Sequence, residues 1–155
     1  MIIKGLIDTD FVNYKVPCMV IEFPYCNFKC DKECGQQVCQ NSALATAPDI
    51  EISIDRIIER YINNPITQAI CFQGLEPFDS IEMFGLVQKL REVTNDDIVI
   101  YTGYMKNEIE DLVDTLRQYP NIIIKYGRYI PNQEPHLDNV LGVKLASNNQ
   151  YAERL

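Results

Sequence analysis

The sequence predicts an α/β fold built on a mostly parallel sheet. Short, unbroken apolar runs recur along the chain, and between them lie segments whose apolar residues return at helical spacing. Strands covered on both faces read as continuous apolar runs, and strands alternating with helices form parallel sheets through right-handed crossovers.

The elements follow in order. Residues 16–23 (VPCMVIEF) form the first strand, with Pro17 at its entry. Residues 24–48 carry Cys, Asn, Gln, Gly and charges without periodicity, and a loop this long in a compact domain is usually functional. Ser53 caps a helix with Ile54, Ile57, Ile58, Tyr61 and Ile62 on one face, ended by Asn63, Asn64 and Pro65. Residues 68–72 are the next strand, closing on Gly74. Ser80 caps a second helix over 81–93, with Met83, Phe84, Val87, Leu90 and Arg91 at helical spacing. Residues 98–101 are a strand broken by Thr102-Gly103. Asn107 caps a third helix with Ile109, Leu112, Val113 and Leu116, and residues 122–126 are the last strand. Beyond Gly127 the sequence reads as irregular. No linker, repeat or low-complexity tract divides residues 1–155, so the expectation is one domain.

Composition narrows the functions. The 155 residues hold 14 Lys and Arg against 22 Asp and Glu, a net charge of −8, which disfavours a phosphate-backbone partner. No apolar run approaches the ~18 residues that cross a bilayer, and no signal segment precedes the first acids. The expectation is a cytoplasmic protein that binds neither nucleic acid nor membrane. Six cysteines are present, and four of them (Cys26, Cys30, Cys34, Cys39) fall within fourteen residues. Disulfide frameworks spread cysteines to close long loops, whereas a metal or cluster needs them close together. Thiolates select zinc, copper(I) or iron–sulfur. Structural zinc favours two arms of paired ligands, and one continuous loop does not supply them. In a parallel sheet, ligands sit beyond the carboxyl ends of the strands. The cysteine loop, Gly74-Leu75-Glu76-Pro77 and Thr102-Gly103-Tyr104 each follow a strand and should meet on one rim.

Five segments carry a resemblance in sequence order. They are Cys26-Asn27-Phe28-Lys29-Cys30, Cys39-Gln40-Asn41-Ser42, Gly74-Leu75-Glu76-Pro77, residues 98–104 (IVIYTGY) and Ser147-Asn148-Asn149-Gln150. Together they resemble the radical S-adenosylmethionine proteins, and among these the activating proteins of anaerobic ribonucleotide reductase. The resemblance spans residues 2–150. It implies a truncated open (βα) barrel, with a [4Fe–4S] cluster on Cys26, Cys30 and a third cysteine. That third ligand is Cys39 by its Gln-Asn-Ser context, with Cys34 as the alternative, since the family's spacing of two residues is met by neither. S-adenosylmethionine would lie against Gly74, Glu76, Thr102, Gly103, Tyr104 and Asn41. The implied activity is reductive cleavage of S-adenosylmethionine, giving a radical for a glycyl radical enzyme such as anaerobic ribonucleotide reductase, with a reductant such as flavodoxin. Leu75 stands where the family has a second glycine, Tyr151 where it has a basic residue, and Tyr126-Gly127 where it has an acidic residue and glycine. Two other readings are an iron–sulfur or electron-transfer protein without radical activity, and a structural zinc module.

Other residues read as structural. Cys18 and Cys71 are core, as free cysteines in strands usually are. Asp96-Asp97 is a solvated turn, and His136, the only histidine, is a solvated side chain in the tail. No side chain is assigned acid–base or nucleophilic catalysis, and there is no glycine-rich phosphate loop.

Overall fold

The computed structural model describes residues 1–155 as a mixed α/β arrangement. The strands are β1 (Ile2–Ile3), β2 (Gly5–Asp10), β3 (Cys18–Phe23), β4 (Ile50–Glu51), β5 (Ala69–Gly74), β6 (Asp97–Tyr101), β7 (Ile122–Tyr126), β8 (His136–Asp138), β9 (Val143–Leu145) and β10 (Tyr151–Arg154). The helices are α1 (Lys29–Cys34), α2 (Ile54–Ile62), α3 (Glu82–Arg91) and α4 (Glu110–Leu116). The main sheet runs β10-β7-β6-β5-β3-β2, with its four central strands parallel and both edge strands antiparallel. β1 pairs with β4, and β8 with β9, as small separate ribbons. No helix is long and apolar enough to cross a membrane.

The period-two geometry of a strand explains the unbroken apolar runs. Met19, Ile21, Phe23, Ile70, Phe72, Ile98, Ile100, Ile122 and Ile124 face one way, onto Ile57 and Tyr61 of α2, Met83, Leu86, Val87 and Leu90 of α3, and Val113 and Leu116 of α4. Their neighbours Cys18, Val20, Cys71, Val99 and Ile123 face the other way, under Tyr14, Leu141 and Leu145. Cys18 and Cys71 are therefore core, with sulfurs 3.2 Å apart.

Several boundaries differ from the sequence reading, each for a local reason. Ser53 caps α2 through its hydroxyl, which accepts from the Arg56 N–H. Ser80 does not cap α3: the helix enters through Ile81 without a side-chain cap, and Ser80 is buried. Asn107 caps nothing, because it lies inside a 3₁₀ turn, Lys106–Glu108, whose entry is closed by the Glu108 carboxylate on the Met105 N–H. Residues 24–48 are not structureless; they hold α1 and a 3₁₀ turn, Ser42–Thr46. The tail after Gly127 is ordered as β8, β9 and β10. His136 thus lies in a strand, half-buried, rather than in a solvated tail. Asp96 and Asp97 are no free turn either, since they accept the phenolic hydroxyls of Tyr61 and Tyr14, and Asp97 also pairs with Arg154.

The parallel register aligns the ends of the central strands. Phe23 lies opposite Gly74, Phe72 opposite Ile100, and Tyr101 opposite Lys125. The chain exits of β3, β5, β6 and β7 therefore lie side by side.

Candidate iron–sulfur centre

The cysteine loop is bound to the neighbouring strand exit from its first residues. The Leu75 N–H donates to the Phe23 carbonyl and the Glu76 N–H to the Tyr25 carbonyl, the latter at 2.7 Å, which sets Cys26 beside Glu76. Gly74 permits this approach with φ of +94°. Farther along, the Asn41 amide donates to the Gly74 carbonyl at 2.6 Å. The rim is tied across as well: Asn27 donates to the Tyr104 hydroxyl, which donates to Asp79, and Lys29 pairs with Glu108.

These exits enclose a cavity of about 340 Å³. Cys26, Cys30 and Cys39 are among its walls, and so are Asn41, Gly74, Glu76, Thr102, Gly103 and Tyr104; Cys34 is not. All six cysteines are free thiols. Burial pushes the Cys26 thiol up to about 11. Burial, and then the neighbouring charge of Cys39, pushes Cys30 up to about 12. No three Cys, His, Asp or Glu side chains gather around a point where one metal ion would fit. Three thiolates on separate irons of a cluster need a wider spacing than ligands of one ion. A soft, all-sulfur donor set on one cavity wall suits iron and sulfide.

Glu76 is the anionic centre of the same cavity. It is 4 % exposed, and its carboxylate accepts from the Phe78 N–H, the Thr102 hydroxyl and the Gly103 N–H, at 3.2, 2.8 and 2.9 Å. A carboxylate has about four acceptor directions, so three donors leave one for a ligand. Burial outweighs these bonds and raises its pKa to about 7. Thr102 and Gly103 thus act here by holding Glu76, and Asn41 by holding Gly74. The Thr102 hydroxyl also accepts from the Tyr104 N–H.

Lys125, the fourth residue of β7, is the cationic counterpart. It is 7 % exposed and lines the same cavity, with its ammonium donating to the Gly127 carbonyl at 2.7 Å. Burial lowers its pKa to about 8. The sequence signal was available: a lone lysine near the carboxyl end of an otherwise apolar run, in the layer where such sheets place their ligands. Arg128 was likewise missed. It pairs with Glu33 of α1 and with Glu108, and donates to the Gly103 carbonyl. That guanidinium, followed by the Lys29 bond, holds the Glu108 carboxyl down to about 2. Ser147-Asn148-Asn149-Gln150 has a tethering geometry: Gln150 accepts from the Ala146 and Ser147 N–H groups and donates to the Gly127 carbonyl, while Asn149 donates to the Arg128 carbonyl.

A pH effect on stability follows from Glu76. Its native pKa lies above the unfolded value near 4.5, so the native state binds more protons between those limits and stability falls as pH rises through them. Between pH 5.5 and 8 the metal-free protein should lose about 2 kcal/mol through this group, at about 1.4 kcal/mol per pH unit below pH 7. Urea unfolding of wild type and Glu76→Gln at both pH values checks it, because the variant lacks this increment. Equal pH dependence in the two proteins would contradict the assignment.

A cavity edged by three thiols, on the rim of a mostly parallel α/β sheet, is compatible in donor type with an iron–sulfur cluster. The chain belongs to the 4Fe-4S single cluster domain family, whose model matches residues 17–151. Comparison with curated proteins and with solved structures gave no match.

Proposed function

We propose that this protein cleaves S-adenosylmethionine reductively at a [4Fe–4S] cluster held by Cys26, Cys30 and Cys39, and passes the radical to a glycyl radical enzyme of the anaerobic ribonucleotide reductase class. The observation that carries the reading is that Glu76 and Lys125, both buried and not bonded to each other, line the cavity that the three thiols edge. An amino-acid headgroup bears one cation and one anion; a buried carboxylate with an open acceptor direction suits the ammonium, and a buried ammonium suits the carboxylate. Gly74 and Leu75 offer the backbone beside Glu76, and Thr102 to Tyr104 line the side on which a ribose would lie.

When bound, the cluster supplies one electron to the sulfonium, giving methionine and a 5′-deoxyadenosyl radical, and an external reductant such as flavodoxin restores that electron. The chain's own part is to orient the headgroup and exclude water. The central strand order β3-β5-β6-β7, with α2, α3 and α4 packed on one face, supports the open (βα) barrel reading. The glycyl radical partner rests on the resemblance of the five motifs.

Anaerobic reduction of the cluster-loaded protein with S-adenosylmethionine is expected to release 5′-deoxyadenosine, and addition of the reductase to give a glycyl electron paramagnetic resonance signal. Glu76→Gln should lower 5′-deoxyadenosine formation at least about tenfold, the scale of one lost charge-assisted contact of about 1.5–3 kcal/mol. A loaded protein that yields no 5′-deoxyadenosine would instead be an electron-transfer protein. Nucleoside release without a glycyl signal would remove the partner alone.

A further inference from the structure

The segment between the second and third ligands of the proposed centre has its own problem of geometry. Eight residues separate Cys30 from Cys39, and Cys34 intervenes at a spacing of four. Residues four apart on a helix are neighbours, and both Cys30 and Cys34 lie on α1, so local geometry favours Cys34 beside Cys30. The cavity wall nevertheless holds Cys39 and not Cys34.

The reversal of the chain explains this. α1 ends at Gly35, whose φ of +65° turns the chain out of the helix. The loop then folds back onto the first turn of the same helix, where one oxygen of Asp31 accepts the N–H groups of Val38 and Cys39, each at 2.8 Å. α1 itself buries no residue. Its other ties are polar and run to the rim, Lys29 to Glu108 and Glu33 to Arg128. These hold the helix; the Asp31 bonds hold the return segment against it, while the Asn41 amide on the Gly74 carbonyl ties the segment's far end to the β5 exit.

We infer that Asp31 is the positioning residue that selects Cys39 over Cys34 as the third thiolate, by gathering the N–H groups of Val38 and Cys39 on its carboxylate. The inference rests on the proposed ligand set. Its physical content is that an eight-residue spacing behaves as a short one because a single carboxylate closes the intervening loop. Bonds from backbone N–H groups to a carboxylate are among the stronger ones. Without them, residues 36–39 have no anchor to α1, and Cys34 competes from its helical position beside Cys30.

The test uses the full chain loaded anaerobically with iron and sulfide. It reads iron and sulfide content, resistance of the cluster to a chelator, and the electron paramagnetic resonance spectrum of the reduced cluster. Cys34→Ala should match wild type, and Cys39→Ala should lose wild-type retention, keeping at most a weakly held population that uses Cys34. Asp31→Ala should weaken cluster retention about 10–100-fold, the usual scale for a group supporting a metal ligand. It should also show an altered spectrum from a population using Cys34, and adding Cys34→Ala should remove that population. Asp31→Asn, whose amide oxygen still accepts both N–H groups, should recover most of the retention. Asp31 is half-buried and belongs to neither core, so unchanged far-ultraviolet circular dichroism is expected throughout. Asp31→Ala indistinguishable from wild type in chelator resistance and spectrum, with Cys39→Ala still impaired in both, would overturn the positioning role alone. Iron retained by Cys39→Ala and lost by Cys34→Ala would overturn the ligand set and the positioning role with it.

Discussion

Alanine at Cys26 or at Cys30 is expected to leave the chain without its cluster while the fold stays intact. A thiolate bond to iron has no substitute nearby, because the cavity wall offers only three sulfurs and no histidine. Loss of one should lower bound iron and sulfide at least about tenfold under chelator challenge, a lower bound taken from the effect of groups that merely support ligands. Neither residue belongs to either core, and both are half-buried on the rim. The metal-free variants should therefore unfold within about 0.5 kcal/mol of wild type, as surface substitutions do. Cys18→Ala supplies the opposite case. That residue is fully buried against Cys71 beneath Tyr14, Leu141 and Leu145, so the change should lower the urea midpoint and leave iron content alone. Full iron in Cys26→Ala, or iron loss in Cys18→Ala with a native circular dichroism spectrum, would reverse the roles drawn for the two groups of cysteines. Binding should also release protons from the metal-free protein, since burial holds Cys26 and Cys30 in the thiol form up to about pH 11 and 12.

The central strands and the helices were legible because burial writes itself into periodicity. Residues 122–124 must be apolar on both faces to sit between the two cores, and Ile57, Tyr61, Val87 and Leu90 must recur at helical spacing to reach one of them. The convergence of the cysteine loop, Glu76 and Thr102 was legible for a topological reason, since parallel strands deliver their exits to one edge. What stayed hidden depends on contacts distant in sequence. β2 carries GLIDTD, whose exposed face gives no apolar run, and it is a strand because β3 pairs with it. β8 and β9 are short and paired only with each other, so neither has a pattern long enough to read. Asn107 and Ser80 are good cap residues by type, yet Glu108 and backbone bonds satisfied those helix starts first. Asn41 and Thr102 were singled out as ligand contacts, and their polar atoms turn out to hold Gly74 and Glu76. Lys125 carries a readable signal, a lone charge at the carboxyl end of an apolar strand, whereas Arg128 has no meaning until Glu33, Glu108 and Gly103 are known to surround it.

Gly74→Ala should be the most damaging small change in the molecule. A Cβ on Gly74 would lie 2.7 Å from the Phe23 nitrogen and 2.8 and 2.9 Å from the Glu22 Cα and carbonyl carbon. All three are backbone atoms of β3, which pairs with β2 on one side and β5 on the other, so they cannot move aside without breaking ladder bonds. The φ of +94° adds a second cost, since an L-residue there is strained by about 1–2 kcal/mol. Overpacking contributes about 1–3 kcal/mol more, giving a loss of about 2–5 kcal/mol in urea unfolding. The site suffers along with the fold, because the exit bonds from Leu75 and Glu76 to Phe23 and Tyr25 are what set Glu76 beside Cys26. Gly85→Ala separates this effect from the general cost of changing glycine. Gly85 lies in the interior of α3 with only the tip of Ile54 at 4.0 Å from a new Cβ, so alanine there should stabilise by about 0.5–1 kcal/mol. The two substitutions add the same methyl group, and their opposite signs come from the backbone alone. Equal urea midpoints for Gly74→Ala and wild type would mean that the two strand exits are not in contact as described, and the placement of Glu76 beside the thiols would go with them.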